Sequence, residues 1–118
     1  MTTPRSTRVY LPTTLAGLAR LRDDGSLPAS AERYVADGDG EEQEYAALVA
    51  AAVDAAALLD GPGRRVVVVA DVADPDGVVP LRDVVAVHAD PEDRPAGADP
   101  DEDLGWYATQ EIEALLAD

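Results

Sequence analysis

Apolar and polar positions alternate between two periods along this chain. Arg8-Val9-Tyr10-Leu11 has the β-rich composition of a short strand, and Pro12 sets its expected end. Thr13 or Thr14 then offers a helix cap, with Leu15, Leu18 and Ala19 on one face of the helix that follows. Asp24-Gly25 supplies the stop. Ser30 to Ala36 is open between a short helix capped by Ser30 and an irregular edge segment, and Asp37-Gly38-Asp39-Gly40 breaks the pattern.

The strongest periodicity predicts a helix over residues 41–60. Asp39 is placed to cap it, Glu41, Glu42 and Glu44 complement the positive end of its dipole, and Gly61-Pro62-Gly63 ends it. Tyr45, Leu48, Val49, Ala52, Val53, Ala56 and Leu59 form its expected core stripe. The other alanines leave little polar face, and such a helix is usually buried on more than one side, by its own chain or by a second copy.

Residues 64–72 read as a central strand, because Val66 to Ala70 is continuously apolar instead of alternating. A turn at Asp74-Pro75-Asp76-Gly77 precedes another strand at residues 84–89. Simple alternation there sets Val85, Val87 and Ala89 against Val84, Ala86 and His88. Residues 90–103, acidic and rich in Pro, Ala and Gly, read as a flexible solvated connector, and residues 104–116 as a C-terminal helix. The expected fold is a single α+β domain: a small mixed sheet of about three strands (8–11, 64–72, 84–89) packed with the two long helices.

Composition narrows the functional classes. The chain has 118 residues, 47% of them hydrophobic, which suits one domain with one core. Its net charge is −15, from 24 acidic residues against 9 basic ones, all of them arginine. A field of that sign repels nucleic acid and anionic membranes and favours a basic protein partner. Both high-GC codon usage and adaptation to salt would enrich Asp at the expense of Lys. There is no cysteine, so thiolate and disulfide chemistry is excluded. No signal-like segment or membrane-length apolar run is present, so the expectation is a cytoplasmic protein.

The blocks RVYLPTTLAGL, GDGEEQEYAAL, RRVVVVADV, VVAVHAD and WYATQEI occur in this order. Together they resemble a family of small actinobacterial proteins known only as a domain of unknown function. The resemblance covers most of the chain and is most specific at WYATQEI. The interval GSLPASAERYVA is shorter than in the family, which implies one strand fewer, and the acidic connector is shorter too. The resemblance implies no activity, cofactor or catalytic residue.

The candidate chemistry is sparse. Trp106, the sole tryptophan, and Gln110 would share one stripe of the C-terminal helix and form a recognition patch, with Tyr107 adjacent. The structural alternative makes Tyr107 a core anchor and Trp106 an edge cover. His88, the sole histidine, would need an orienting carboxylate such as Asp71 to act as a general base. His88, Tyr107 and Glu111 are therefore the catalytic candidates only if they line a common pocket. The acidic clusters fail calcium-loop spacing: with Gly77 sixth in an EF-hand register, Val72 falls where an oxygen ligand is required. No P-loop, G-x-S-x-G, H-E-x-x-H or dinucleotide fingerprint occurs, so no metal or cofactor is expected. The expected function is a small acidic interaction or regulatory module for a protein partner, with a homodimer through the Ala-rich helix or a sheet edge as a second expectation. A small Tyr/Glu/His enzyme and a nucleic-acid mimic are the alternatives.

Overall fold

The computed structural model describes residues 6–36, 40–95, 98 and 103–117. Seven strands and three helices follow in the order β1 (Thr7–Thr13), α1 (Leu15–Asp24), β2 (Ser26–Leu27), β3 (Tyr34–Val35), α2 (Glu41–Ala57), β4 (Val66–Val72), β5 (Val79–Pro80), β6 (Val84–Ala89), β7 (Gly105–Tyr107) and α3 (Ile112–Leu116). The fold is α+β. Its main sheet has five antiparallel strands in the order β3-β1-β4-β6-β7, and β2 pairs with β5 as a separate ribbon.

The sheet is larger than the three strands expected, because the additional strands are too short to carry a period. The interval of residues 25–36, which looked one strand poor, supplies both β2 and β3. Ser30 caps no helix there. β1 also runs on through Pro12, opposite Val67 of β4. β3 covers only Val9 and Tyr10 on the other side of β1, so no ladder partner on that side demands the amide that proline lacks.

β4 is central and apolar on both faces, as its unbroken valine run predicted. Val66, Val68, Ala70 and Val72 join Val9, Leu11, Leu18, Leu21, Ile112 and Leu115 in a core beneath α1 and α3. Val67 and Val69 join Tyr10, Ala86 and the alanines of α2 in a second core on the opposite face. The sheet is therefore sandwiched between helices. Thr14 caps α1 by accepting from the Gly17 amide at 3.1 Å. Gly25 closes it in the left-handed region at φ 78°, where a β-carbon would be strained.

α2 ends at Ala57, three residues short of the expected boundary, and its N-cap is Gly40 with no side-chain cap bond. Asp39, the expected cap, lies outside the described residues. The helix is also rotated relative to the expected stripe. Its buried residues are Ala47, Ala51, Ala52 and Ala55, while Tyr45, Val49 and Val53 are exposed. Small side chains let the helix backbone settle close to the valine-covered sheet, and the bulkier residues are left on the flank and outer surface.

The largest correction is at the C-terminus. Residues 104–116 do not form one helix: Gly105-Trp106-Tyr107 is an edge strand, Thr109–Glu111 is a 3-10 turn, and only Ile112–Leu116 is helical. Two adjacent aromatics favour a strand, and pairing with β6 satisfies their backbone. The Glu111 carboxylate then accepts from the Ala108 amide at 3.1 Å and starts the turn.

Two smaller differences matter for the site. The register between β4 and β6 shifts between Val69 and Ala70, so Ala86 opposes Val69 while Val84 opposes Ala70. Val85 is the extra residue of this β-bulge and is 40% exposed, and Val84 joins Val87 and Ala89 in the α1/α3 core. The connector from residue 90 begins as part of the fold. Asp90 is 2% exposed and Arg94 forms a bridge with Gly63. Residues 96, 97 and 99–102 lie outside the described residues.

Candidate functional site

β7 brings Trp106 directly opposite His88 on β6, and His88 lies opposite Val67 on β4. Cross-strand partners share a face, with Cβ atoms roughly 4.5–5.5 Å apart. That face is the one α2 covers, but α2 packs over β1, β3 and β4. Those strands carry most of its packing, Ala86 of β6 joins the same core, and β7 stands at the edge of the sheet. Trp106 is consequently 61% exposed, and His88 is half-buried beside it. Leu104 packs against the α2-side core, and the Tyr45 hydroxyl on the near flank of α2 donates to Asp103 at 3.3 Å. Together they form a shallow aromatic ledge with an acidic edge.

Burial holds the His88 imidazole below its ordinary pKa, so its neutral form is favoured. Among the described residues it has no hydrogen-bond partner. Asp71, the carboxylate considered for it, sits four residues along β4 from Val67, which is about 13 Å of strand. That carboxylate is held instead by Arg8, with Nε–Oδ1 at 2.8 Å and Nη2–Oδ2 at 3.1 Å. Arg8 also reaches Glu44 at 3.2 Å, and its hydrogen bond to Asp71 holds its pKa above the ordinary value. Tyr10 donates to the same Glu44 oxygen, and its own pKa is raised by burial first and by Glu44 second.

The candidate catalytic residues do not converge. Tyr107 lies opposite Val87 and packs against the α1/α3 core, on the other side of the sheet from His88. Glu111 is engaged by the backbone of its own turn. Gln110, exposed in the 3-10 turn, does not share a helical stripe with Trp106, because Trp106 is on a strand. Of the residues singled out in the sequence, His88 and Trp106 alone are brought together as a pair. Among the described residues, no group of three His, Cys, Asp or Glu side chains is arranged to hold a metal ion, and no helix is long and apolar enough to cross a membrane.

Two polar arrangements escaped the sequence reading. Arg65 and Asp90 form a buried pair, 1% and 2% exposed. Arg65 Nη2 donates to Oδ1 at 2.7 Å, and its Nε and backbone amide both donate to Oδ2, at 3.0 and 2.8 Å. This ties the start of β4 to the end of β6. The available signal was an arginine opening an apolar strand and an aspartate closing the next. Arg33 is the second case. Its guanidinium donates to the carbonyls of Pro28, Ala29, Ala31, Pro75 and Gly77 at 2.7–3.1 Å, joining two turns far apart in sequence. Nothing local marks such a residue, because all its partners are backbone oxygens.

No curated protein and no solved structure matches the chain significantly. A model described as a family of unknown function, DUF6912, matches residues 7–116, and the chain belongs to that family.

Proposed function

We propose that the protein is a non-enzymatic docking module whose contact face is the ledge formed by Trp106 and His88. The partner is a protein segment that sets an apolar side chain against the Trp106 indole and carries Lys or Arg on its flanks. One observation carries this reading. The sole tryptophan is 61% exposed on an edge strand, two strands beyond β4 and three beyond β1, the strands on which most of the packing of α2 lies. A large indole in water is costly to leave uncovered, and tryptophan is enriched among residues that dominate interface energies.

The charge selects the partner's chemistry. A net −15 speeds encounter with a basic segment and repels acidic ones. Asp103 borders the ledge, positioned by Tyr45. The separation of His88 from Tyr107 by the sheet weighs against a shared catalytic pocket. The proposed setting is the cytoplasm, in keeping with a cysteine-free chain.

The test uses the tryptophan itself as reporter. Synthetic peptides with a central Leu or Phe and arginine flanks are titrated into the protein while its emission is followed. The expected result is a blue shift with reduced acrylamide quenching, weakened by added salt. Matched peptides with glutamate flanks should give no shift. Equal responses to both series would overturn the assignment of a basic partner.

A further inference from the structure

The register of the main sheet leaves one rung of backbone hydrogen-bonding groups open at Trp106. In an antiparallel ladder, successive residues turn their N–H and C=O groups alternately to the strand on one side and to the other side. The Asp90 amide donates to the Arg65 carbonyl at 3.1 Å, so the pairs that exchange bonds between β4 and β6 are Arg65 with Asp90, Val67 with His88 and Val69 with Ala86. His88 therefore directs its backbone groups to β4, while Val87 and Ala89 turn theirs to Tyr107 and Gly105 of β7. Trp106, opposite His88, is left with its N–H and C=O pointing outward from the last strand of the sheet.

Ala108, two residues on, shares that outward direction, and its bonds show it. Its amide donates to the Glu111 carboxylate at 3.1 Å, and its carbonyl accepts from the Glu111 amide at 2.9 Å. The C-terminal turn thus closes the Ala108 rung. Nothing closes the Trp106 rung: among the described residues no strand pairs with the outer edge of β7. Exposed edges are commonly blunted by Lys, Pro or a bulge. β7 is Gly105-Trp106-Tyr107, with none of these.

We infer that the partner segment docks as an added antiparallel β-strand along β7, its central apolar residue exchanging both backbone hydrogen bonds with Trp106. The inference rests on the docking reading above and fixes the conformation of the partner. The open rung asks for one donor and one acceptor at strand spacing, about 4.8 Å away, which an extended polypeptide supplies. Antiparallel addition supplies both from one residue, whereas parallel pairing spreads slanted bonds over two. The central side chain then lies on the face of Trp106 and His88, at cross-strand contact distance from the indole. Charge sets the flanks. Asp103 lies three residues before Trp106, and the Glu111 carboxylate stands at the Ala108 rung, two residues after it. In antiparallel register these carboxylates meet the partner positions three after and two before its central residue, where Lys or Arg fits.

The test uses the full chain and the peptide Arg-Thr-Leu-Thr-Thr-Arg, blocked at both ends. Amide hydrogen exchange followed by NMR should find Tyr107 slow and Trp106 fast in the free protein, and saturating peptide should slow Trp106 at least about tenfold. N-methylation of the central Leu removes the donor aimed at the Trp106 carbonyl and should weaken binding at least about tenfold. N-methylation of either adjoining Thr, whose amides point away from β7, should change binding less than about threefold. A blue shift of Trp106 emission without slowing of its amide, or equal binding of all the methylated peptides, overturns strand addition and leaves the docking reading standing. Absence of a shift with every basic-flanked peptide overturns the docking reading and this inference with it. A Trp106 amide already slow in the dilute free protein shows that the edge is closed and overturns the inference. Slowing that follows protein concentration without peptide assigns the edge to a second copy and overturns it too.

Discussion

Replacing Asp90 with alanine removes the carboxylate that serves three donors of Arg65, two on its guanidinium and one on its backbone. Both side chains are nearly inaccessible, at 2% and 3% side-chain exposure, so water cannot take over those bonds without opening the junction of β4 and β6. Breaking a buried pair by deleting one partner costs about 3–5 kcal/mol, because the remaining charge stays desolvated. For a domain of this size that corresponds to a fall in melting temperature of roughly 10–20 °C. The contrast is Arg65→Met combined with Asp90→Leu, which removes both charges and fills the space with apolar atoms. Buried pairs replaced in this way are often neutral or stabilising, so the double variant should recover part of the loss, the remainder reflecting Arg94, 3.9 Å from Asp90, and the Arg65 amide, which both still lose the carboxylate. Urea and thermal denaturation followed by far-UV circular dichroism measure all of these. A loss below about 1 kcal/mol for Asp90→Ala, or a double variant no more stable than the single one, would refute the reasoning.

Arg33→Lys should destabilise the fold by about 2–4 kcal/mol despite keeping the charge, because an ammonium cannot present the planar fork that reaches carbonyls on both turns; equal urea midpoints would contradict this. His88 is held below its ordinary pKa of 6.5, so the unfolded chain takes up that proton first as pH falls. Wild-type stability should therefore decline below about pH 6.5 relative to that of His88→Gln, which lacks the titrating group, and parallel pH profiles would argue against the burial effect. Trp106→Ala should change stability by no more than about 0.5 kcal/mol in chemical denaturation, as expected of a largely exposed side chain with a contact role. A larger loss would make Trp106 part of the core.

The central strand and α2 were legible in the sequence because each is long enough to show its period. The valines of β4 spelled burial on two faces, and Thr14 and Gly25 marked the limits of α1 through local chemistry. β2, β3, β5 and β7 have two or three residues each, and their existence depends on partners distant in the chain. The rotation of α2 was hidden for a different reason. With alanine on every side, its periodicity does not say which alanines face the sheet, and the larger side chains suggested the wrong face. The bulge at Val85 moved Val84 across the sheet, which strict alternation cannot anticipate. At the site, Trp106 was correctly singled out by its rarity, but its neighbour is His88 across a strand pair and not Gln110 along a helix.

The account's central claim, that the Trp106 ledge receives a basic-flanked segment, is tested most directly by selecting a displayed random-peptide library on the wild-type protein in parallel with Trp106→Ala. The prediction is enrichment, on the wild type alone, of peptides with a large apolar residue between Lys or Arg residues. Absence of any enriched sequence, or equal recovery on Trp106→Ala, would contradict it.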